Sequence, residues 1–171
     1  MVVLADEAAA RTARLLRNQG MDRPYENEIV GYNMRMTDVA AAMGRVQLRR
    51  LAGLTARRQA NAAVYDRGLG DRVTVPPVAP GAVHVYHQYT IQTKDRDQVA
   101  RDLEDSGIES RVFYPTPVHR LAPYALDLDL ARTEEATRRV LSLPVGPHVT
   151  PEQAQTVADA VAAAVARVAD R

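Results

Sequence analysis

Two pairs of residues in this sequence carry groups that can do chemistry. The first is Asn33 and Arg35, within Gly31-Tyr32-Asn33-Met34-Arg35-Met36-Thr37-Asp38. Two residues apart in an extended loop, their side chains can lie on the same side. An amide and a guanidinium so placed suit the oxygens of a phosphate. A plainer role fits the same residues: a loop tied down by its own hydrogen bonds. The second pair is Tyr114 and His119, in Tyr114-Pro115-Thr116-Pro117-Val118-His119. Two prolines stiffen the backbone between them, so both side chains can face a cleft at little entropic cost. The imidazole can donate to a polar substrate or shuttle a proton. The plainer alternative is a packed tyrosine and a surface histidine.

Other chemistries find less support. Lys94 is the sole lysine, so any covalent amine chemistry of a side chain must use it. It sits beside Asp95, Arg96 and Asp97, which reads as a solvated turn rather than a tuned amine. His84 and His87 fall on opposite faces of an expected strand, which is poor metal geometry. With no cysteine present, disulfides and thiolate chemistry are excluded. Arg45, Arg49, Arg50, Arg57 and Arg58 read as a solvated helix face or a subunit contact. The net charge of +1 gives no reason to expect nucleic acid or a membrane as partner. No apolar run is long enough to span a membrane, and no signal peptide is visible, so a cytoplasmic location is expected.

The elements that must position these residues can be read in turn. Met1-Val2-Val3-Leu4 reads as the end of a strand. A helix fits Asp6 to Asn18, with Gly20 just past its end. Residues 21–36 read as an ordered loop. Thr37 or Asp38 can cap a long helix reaching about Arg67, which would join two subdomains. Gly68 and Gly70 end it, and Pro76-Pro77 with Pro80-Gly81 form a linker. Strands are expected at Val83–Thr93 and Ile108–Phe113, with a helix between them opened by a capping box of Asp95 and Gln98. A short helix fits Thr133 to Val140. A last helix starts at Thr150-Pro151, with Gln153 completing its box. The fold class is α/β.

The whole chain resembles the C-terminal part of the DegT/StrS-type sugar aminotransferases, pyridoxal-phosphate enzymes of the aspartate-aminotransferase fold. The likeness rests on motifs in series: Ala13 to Met21 (ARLLRNQGM), Gly31 to Asp38, Ala41-Ala42-Met43-Gly44 with Gln47-Leu48, His87-Gln88-Tyr89, Ser106 to Arg111, Tyr114 to His119, and Val140 to Pro144. It implies helices from a large domain and a long connecting helix over 1–70, then a small α+β domain over 71–171. It also implies amino transfer from glutamate to a nucleotide-linked keto sugar, by dimers with sites at the subunit interface. By the same resemblance Asn33, with Arg35 beside it, reaches the cofactor phosphate in a partner's site. Tyr114 and His119 would lie near the sugar nucleotide.

Two departures are local. Met34 stands where an aromatic is common, and Leu130-Ala131-Arg132-Thr133-Glu134 lacks the family's proline. The larger one is that the family's Schiff-base lysine would lie upstream of position 1. The chain is therefore expected to be inactive alone and to hold no cofactor covalently. Its expected partner is a second copy or a full-length aminotransferase subunit, because the face of Val39, Met43 and Val46 would otherwise stay bare. A non-catalytic interaction module related to these enzymes is the alternative.

Overall fold

The computed structural model describes residues 2–169. They fall into two compact units, Met1–Arg50 and Leu51–Arg171, with the boundary inside one long helix.

In the first unit, α1 spans Glu7–Arg17, and the Asp6 carboxylate caps it by accepting from the Ala9 amide at 2.6 Å. Leu15 packs inward at 4 % exposure. Gln19 and Gly20, both at positive φ, then turn the chain. The expected loop begins with a small antiparallel hairpin, β1 (Met21–Arg23) and β2 (Glu26–Asn27), around Pro24 and Tyr25. The chain returns to the end of α1. The amide of Tyr32 donates to the Leu16 carbonyl, that of Met34 to the Arg17 carbonyl, and that of Gln19 to the Tyr32 carbonyl. These bonds satisfy carbonyls that a helix end leaves open. Val2–Leu4 form no strand, having no backbone partner among the described residues; Met1 lies outside them.

Helix α2 runs Asp38–Leu69, 32 residues, and so is about 48 Å long. Thr37 is its cap: its hydroxyl accepts from the Ala40 amide. Buried positions occur only in its second half, at Asn61, Ala62, Val64, Tyr65 and Leu69.

The second unit carries the core. Strand β3 (Tyr89–Gln92) pairs antiparallel with β4 (Val140–Leu143), Tyr89 opposite Leu143 and Gln92 opposite Val140. Single bridges extend this ribbon on both sides, Thr74 to Gln92 and Arg111 to Ser142. Helix α3 (Arg96–Asp105) and α5 (Pro151–Ala169) bury Val99, Leu103, Ala154, Ala158 and Val161 against it. A 3-10 turn (Val118–Arg120) and α4 (Ala131–Arg139) lie between α3 and β4.

Besides the strand end at Val2–Leu4, three sequence expectations need correction. The strand at Val83–Thr93 shrinks to β3. In its first half the His84 imidazole takes the Tyr86 amide at 2.9 Å, and Tyr86 adopts φ 45°. The carbonyls of His84, Tyr86 and His87 accept from Gln59 and Arg58 of α2 instead of from a ladder. Such side-chain bonds compete with sheet pairing. The strand at Ile108–Phe113 reduces to the bridge at Arg111, since the prolines that follow cannot donate to a ladder. The capping box at Asp95 fails as well. Asp95 sits at φ 46° with no side-chain cap, and Gln98 turns to Asp102. At α5 the box forms in both directions, Gln153 amide to Thr150 hydroxyl and Thr150 amide to Gln153 side chain.

Candidate functional site

The loop bearing Asn33 and Arg35 is set by two glycines. A Cβ on Gly31 would stand 2.1 Å from the Gly20 amide nitrogen, and one on Gly20 would stand 1.7 Å from the Ile29 carbonyl oxygen. Only bare backbone fits at either place. The contact brings Asn33 opposite Asn18 as a bridge pair. Beyond it, Arg35 Nε donates to Asn33 Oδ1 at 2.9 Å, and both residues are exposed. The bond uses one of the two lone pairs of the amide oxygen. The Asn33 amino group and the outer guanidinium nitrogens remain, all of them donors. That donor set fits a phosphate.

Arg35 also lines an open cleft with residues of α1 and its C-terminal turn. Four arginines line it, Arg11, Arg14, Arg17 and Arg35. Arg11 is held by Glu28 at 2.7 Å and Arg14 by Glu7 at 3.1 Å. Arg17 was not marked out by the sequence except inside a motif; nothing in its spacing separates it from Arg14.

The structure reverses the plain reading of the second pair. Tyr114 is exposed at 70 %, its ring edge-on to Phe113, while His119 is buried at 6 %. His119 Nε2 lies 3.2 Å from Glu134 Oε1. That carboxylate also accepts from Arg120 Nε at 3.0 Å and NH2 at 2.8 Å, and Arg120 reaches the Leu128 carbonyl. The Arg120 bonds, then the His119 bond, hold the Glu134 carboxyl below its ordinary value. Glu134 thus ties the proline-rich segment to α4. Sequence reasoning missed this hub because its members lie up to 15 residues apart with an irregular segment between them.

Lys94 is exposed in the turn between β3 and α3, next to Asp95 and Asp97. A solvated amine there does not fit covalent attachment of an aldehyde. His84 and His87 stay apart from any ligand cluster, and no group of three or more metal-ligating side chains occurs among the described residues. No described helix is long and apolar enough to cross a membrane.

This mixed helix and sheet fold superposes on solved sugar aminotransferases. DesV of Streptomyces venezuelae superposes with a TM-score of 0.90 at 37% identity, over 95% of this chain and 46% of that one. TlmJ, an aminotransferase of Streptoalloteichus hindustanus, gives 0.88 at 32% identity, over 96% and 47%. Among sequences, the dTDP-3-amino-3,4,6-trideoxy-alpha-D-glucose transaminase of Streptomyces venezuelae is 39% identical over 94% of this chain and 44% of its own length. The pleiotropic regulatory protein of Geobacillus stearothermophilus is 34% identical over 95% and 46%. Residues 1–162 match the model of the DegT/DnrJ/EryC1/StrS aminotransferase family, and the chain belongs to that family. The family's enzymes depend on pyridoxal phosphate. The chain spans under half the length of these relatives.

Proposed function

We propose that this chain is the C-terminal portion of a pyridoxal-phosphate-dependent nucleotide-sugar aminotransferase. In this reading it supplies phosphate-binding and substrate-facing side chains to a site completed by another chain. The observation that carries it is the Arg35–Asn33 bond of 2.9 Å, on a loop pinned to α1, which holds the two side chains together and leaves the Asn33 amino group and the outer guanidinium nitrogens to donate elsewhere. When bound, the cofactor supplies the electron-withdrawing ring through which an amino group moves between substrates.

The roles of this chain's residues follow from their bonds. The Asn33 amide nitrogen donates to a phosphate oxygen. Arg35 holds that amide in its orientation and brings a permanent charge. Tyr114 offers an exposed phenol to the sugar nucleotide. His119 has one ring nitrogen engaged by Glu134 and is buried. It therefore fixes the backbone that presents Tyr114 rather than moving a proton itself.

Equilibrium binding of pyridoxal phosphate to the chain, followed by absorbance, tests the reading. Weak, reversible binding that inorganic phosphate competes away, and that Asn33→Ala with Arg35→Gln abolishes, is expected. Borohydride should leave Lys94 without stoichiometric label by mass spectrometry. Unchanged binding by the double variant, or full labelling of Lys94, overturns it.

A second observation supports a protein partner. Val39, Met43 and Val46 are 73 %, 66 % and 46 % exposed on the first half of α2. An apolar stripe of this kind is covered in a working assembly. The partner is a second copy or a full-length aminotransferase subunit. Light scattering at micromolar concentration should show self-association, and Met43→Glu should reduce it. A clean monomer contradicts self-pairing.

A further inference from the structure

We infer that Arg17 is a second phosphate-binding residue, forming with Arg35 a two-guanidinium cleft in the first unit. The inference rests on reading the Asn33–Arg35 arm as a phosphate contact, and extends it to a residue to which the sequence assigned no role.

The charges on the cleft decide which arginines are available. Arg11 and Arg14 are neutralised by Glu28 and Glu7. Arg17 and Arg35 make no ion pair with any described residue. Asp22 is the carboxylate left on the rim. The backbone fixes the spacing: Met34 donates to the Arg17 carbonyl at 2.9 Å, and the bridge of Asn18 with Asn33 adjoins it. Arg17, at the end of α1, therefore lies opposite Met34, one position from Arg35, and both arginines line the cleft.

A basic residue in the last turn of a helix also complements the helix dipole. Here the open carbonyls of Leu16 and Arg17 are already taken by Tyr32 and Met34 amides. The Arg17 guanidinium is not needed to cap them and stays exposed. Two unpaired arginines lining one cleft suit an anion with several oxygens, such as the phosphate of the cofactor or the diphosphate of a nucleotide.

The test is calorimetric titration of the full chain at low salt with inorganic phosphate, thymidine diphosphate and pyridoxal phosphate. Arg17→Gln should weaken the bound anions by about fivefold or more, as expected for loss of a charged hydrogen bond. Arg17→Lys keeps the charge at the helix end and should give a smaller loss. Asp22→Asn should tighten binding, and the already paired Arg14, changed to Gln, should change it by less than about twofold. Tighter thymidine diphosphate than pyridoxal phosphate assigns the cleft to a nucleotide; the reverse order assigns it to the cofactor. Wild-type affinity in Arg17→Gln alongside loss in Arg35→Gln overturns the inference while the arm reading stands. Loss in Arg17→Gln with none in Arg35→Gln removes the pairing and the arm reading together. An equal loss in Arg14→Gln, or no wild-type binding of any of the three anions, also overturns it. Circular dichroism of each variant separates misfolding from lost contact.

Discussion

The first unit buries one large apolar side chain among its described residues, Leu15, whereas the second encloses Tyr65, Leu69, Tyr89, Ile91, Val99, Leu103, Leu141 and Val161. The first is organised by backbone bonds at a helix end and by exposed ion pairs. The second is organised by apolar burial around a short ribbon. The difference separates two tasks. Dense packing makes a platform that folds on hydrophobic burial. The sparse unit carries the donors and the bare helix face, features suited to contact with something else. Its geometry comes from glycine contacts and hydrogen bonds, which give direction but little surplus stability.

Changes that attack each side of this contrast should differ in size and in where they are felt. The largest effect is expected from Leu103→Ala in the core, which should cost about 3 kcal/mol by cavity formation, read from urea denaturation. Gly31→Ala should cost about 2 kcal/mol or more through overpacking at the 2.1 Å contact. Its signature is local, a loss of amide-exchange protection over residues 16–34. Thr150→Ala should cost about 1 kcal/mol by removing the cap of α5, visible as a lowered midpoint.

The smallest effect is a pH dependence. The Glu134 carboxyl titrates below its ordinary value, so its contribution is complete above that ordinary value and is lost as pH falls through the lowered one. Exchange over residues 118–128, taken relative to the intrinsic rate at each pH, should rise as the solution is acidified through that range. Glu134→Gln should raise it already at neutral pH and flatten the acid dependence. A flat wild-type profile would remove the carboxylate from its role as a clamp.

What the sequence disclosed follows the same divide. Helices α1, α2 and α5 were legible because periodicity and caps are local signals: Asp6, Thr37 and Thr150 each cap as their types suggest. That the Asn33 and Arg35 side chains lie on one side of their loop was legible from their spacing, as was a loop tied by its own hydrogen bonds. The strands were not, because Arg58, Gln59 and the His84 ring intercept backbone groups that a run of β-branched residues would otherwise pair. The failed box at Asp95 has the residues of a working one; its left-handed backbone decides against it. The burial of His119 depended on Arg120 and on Glu134, 15 residues downstream, and local reading had no access to that.

The contact between Gly20 and Gly31 also has a genetic consequence. Any base change that replaces a glycine either adds a side chain or ends translation. At these two positions a side chain would collide with backbone at 1.7 to 2.1 Å. Asn33 and Arg35 can be exchanged for other polar residues one base at a time. The hinge that presents them has no such neighbours, so evolution can retune what this loop offers far more readily than where it offers it.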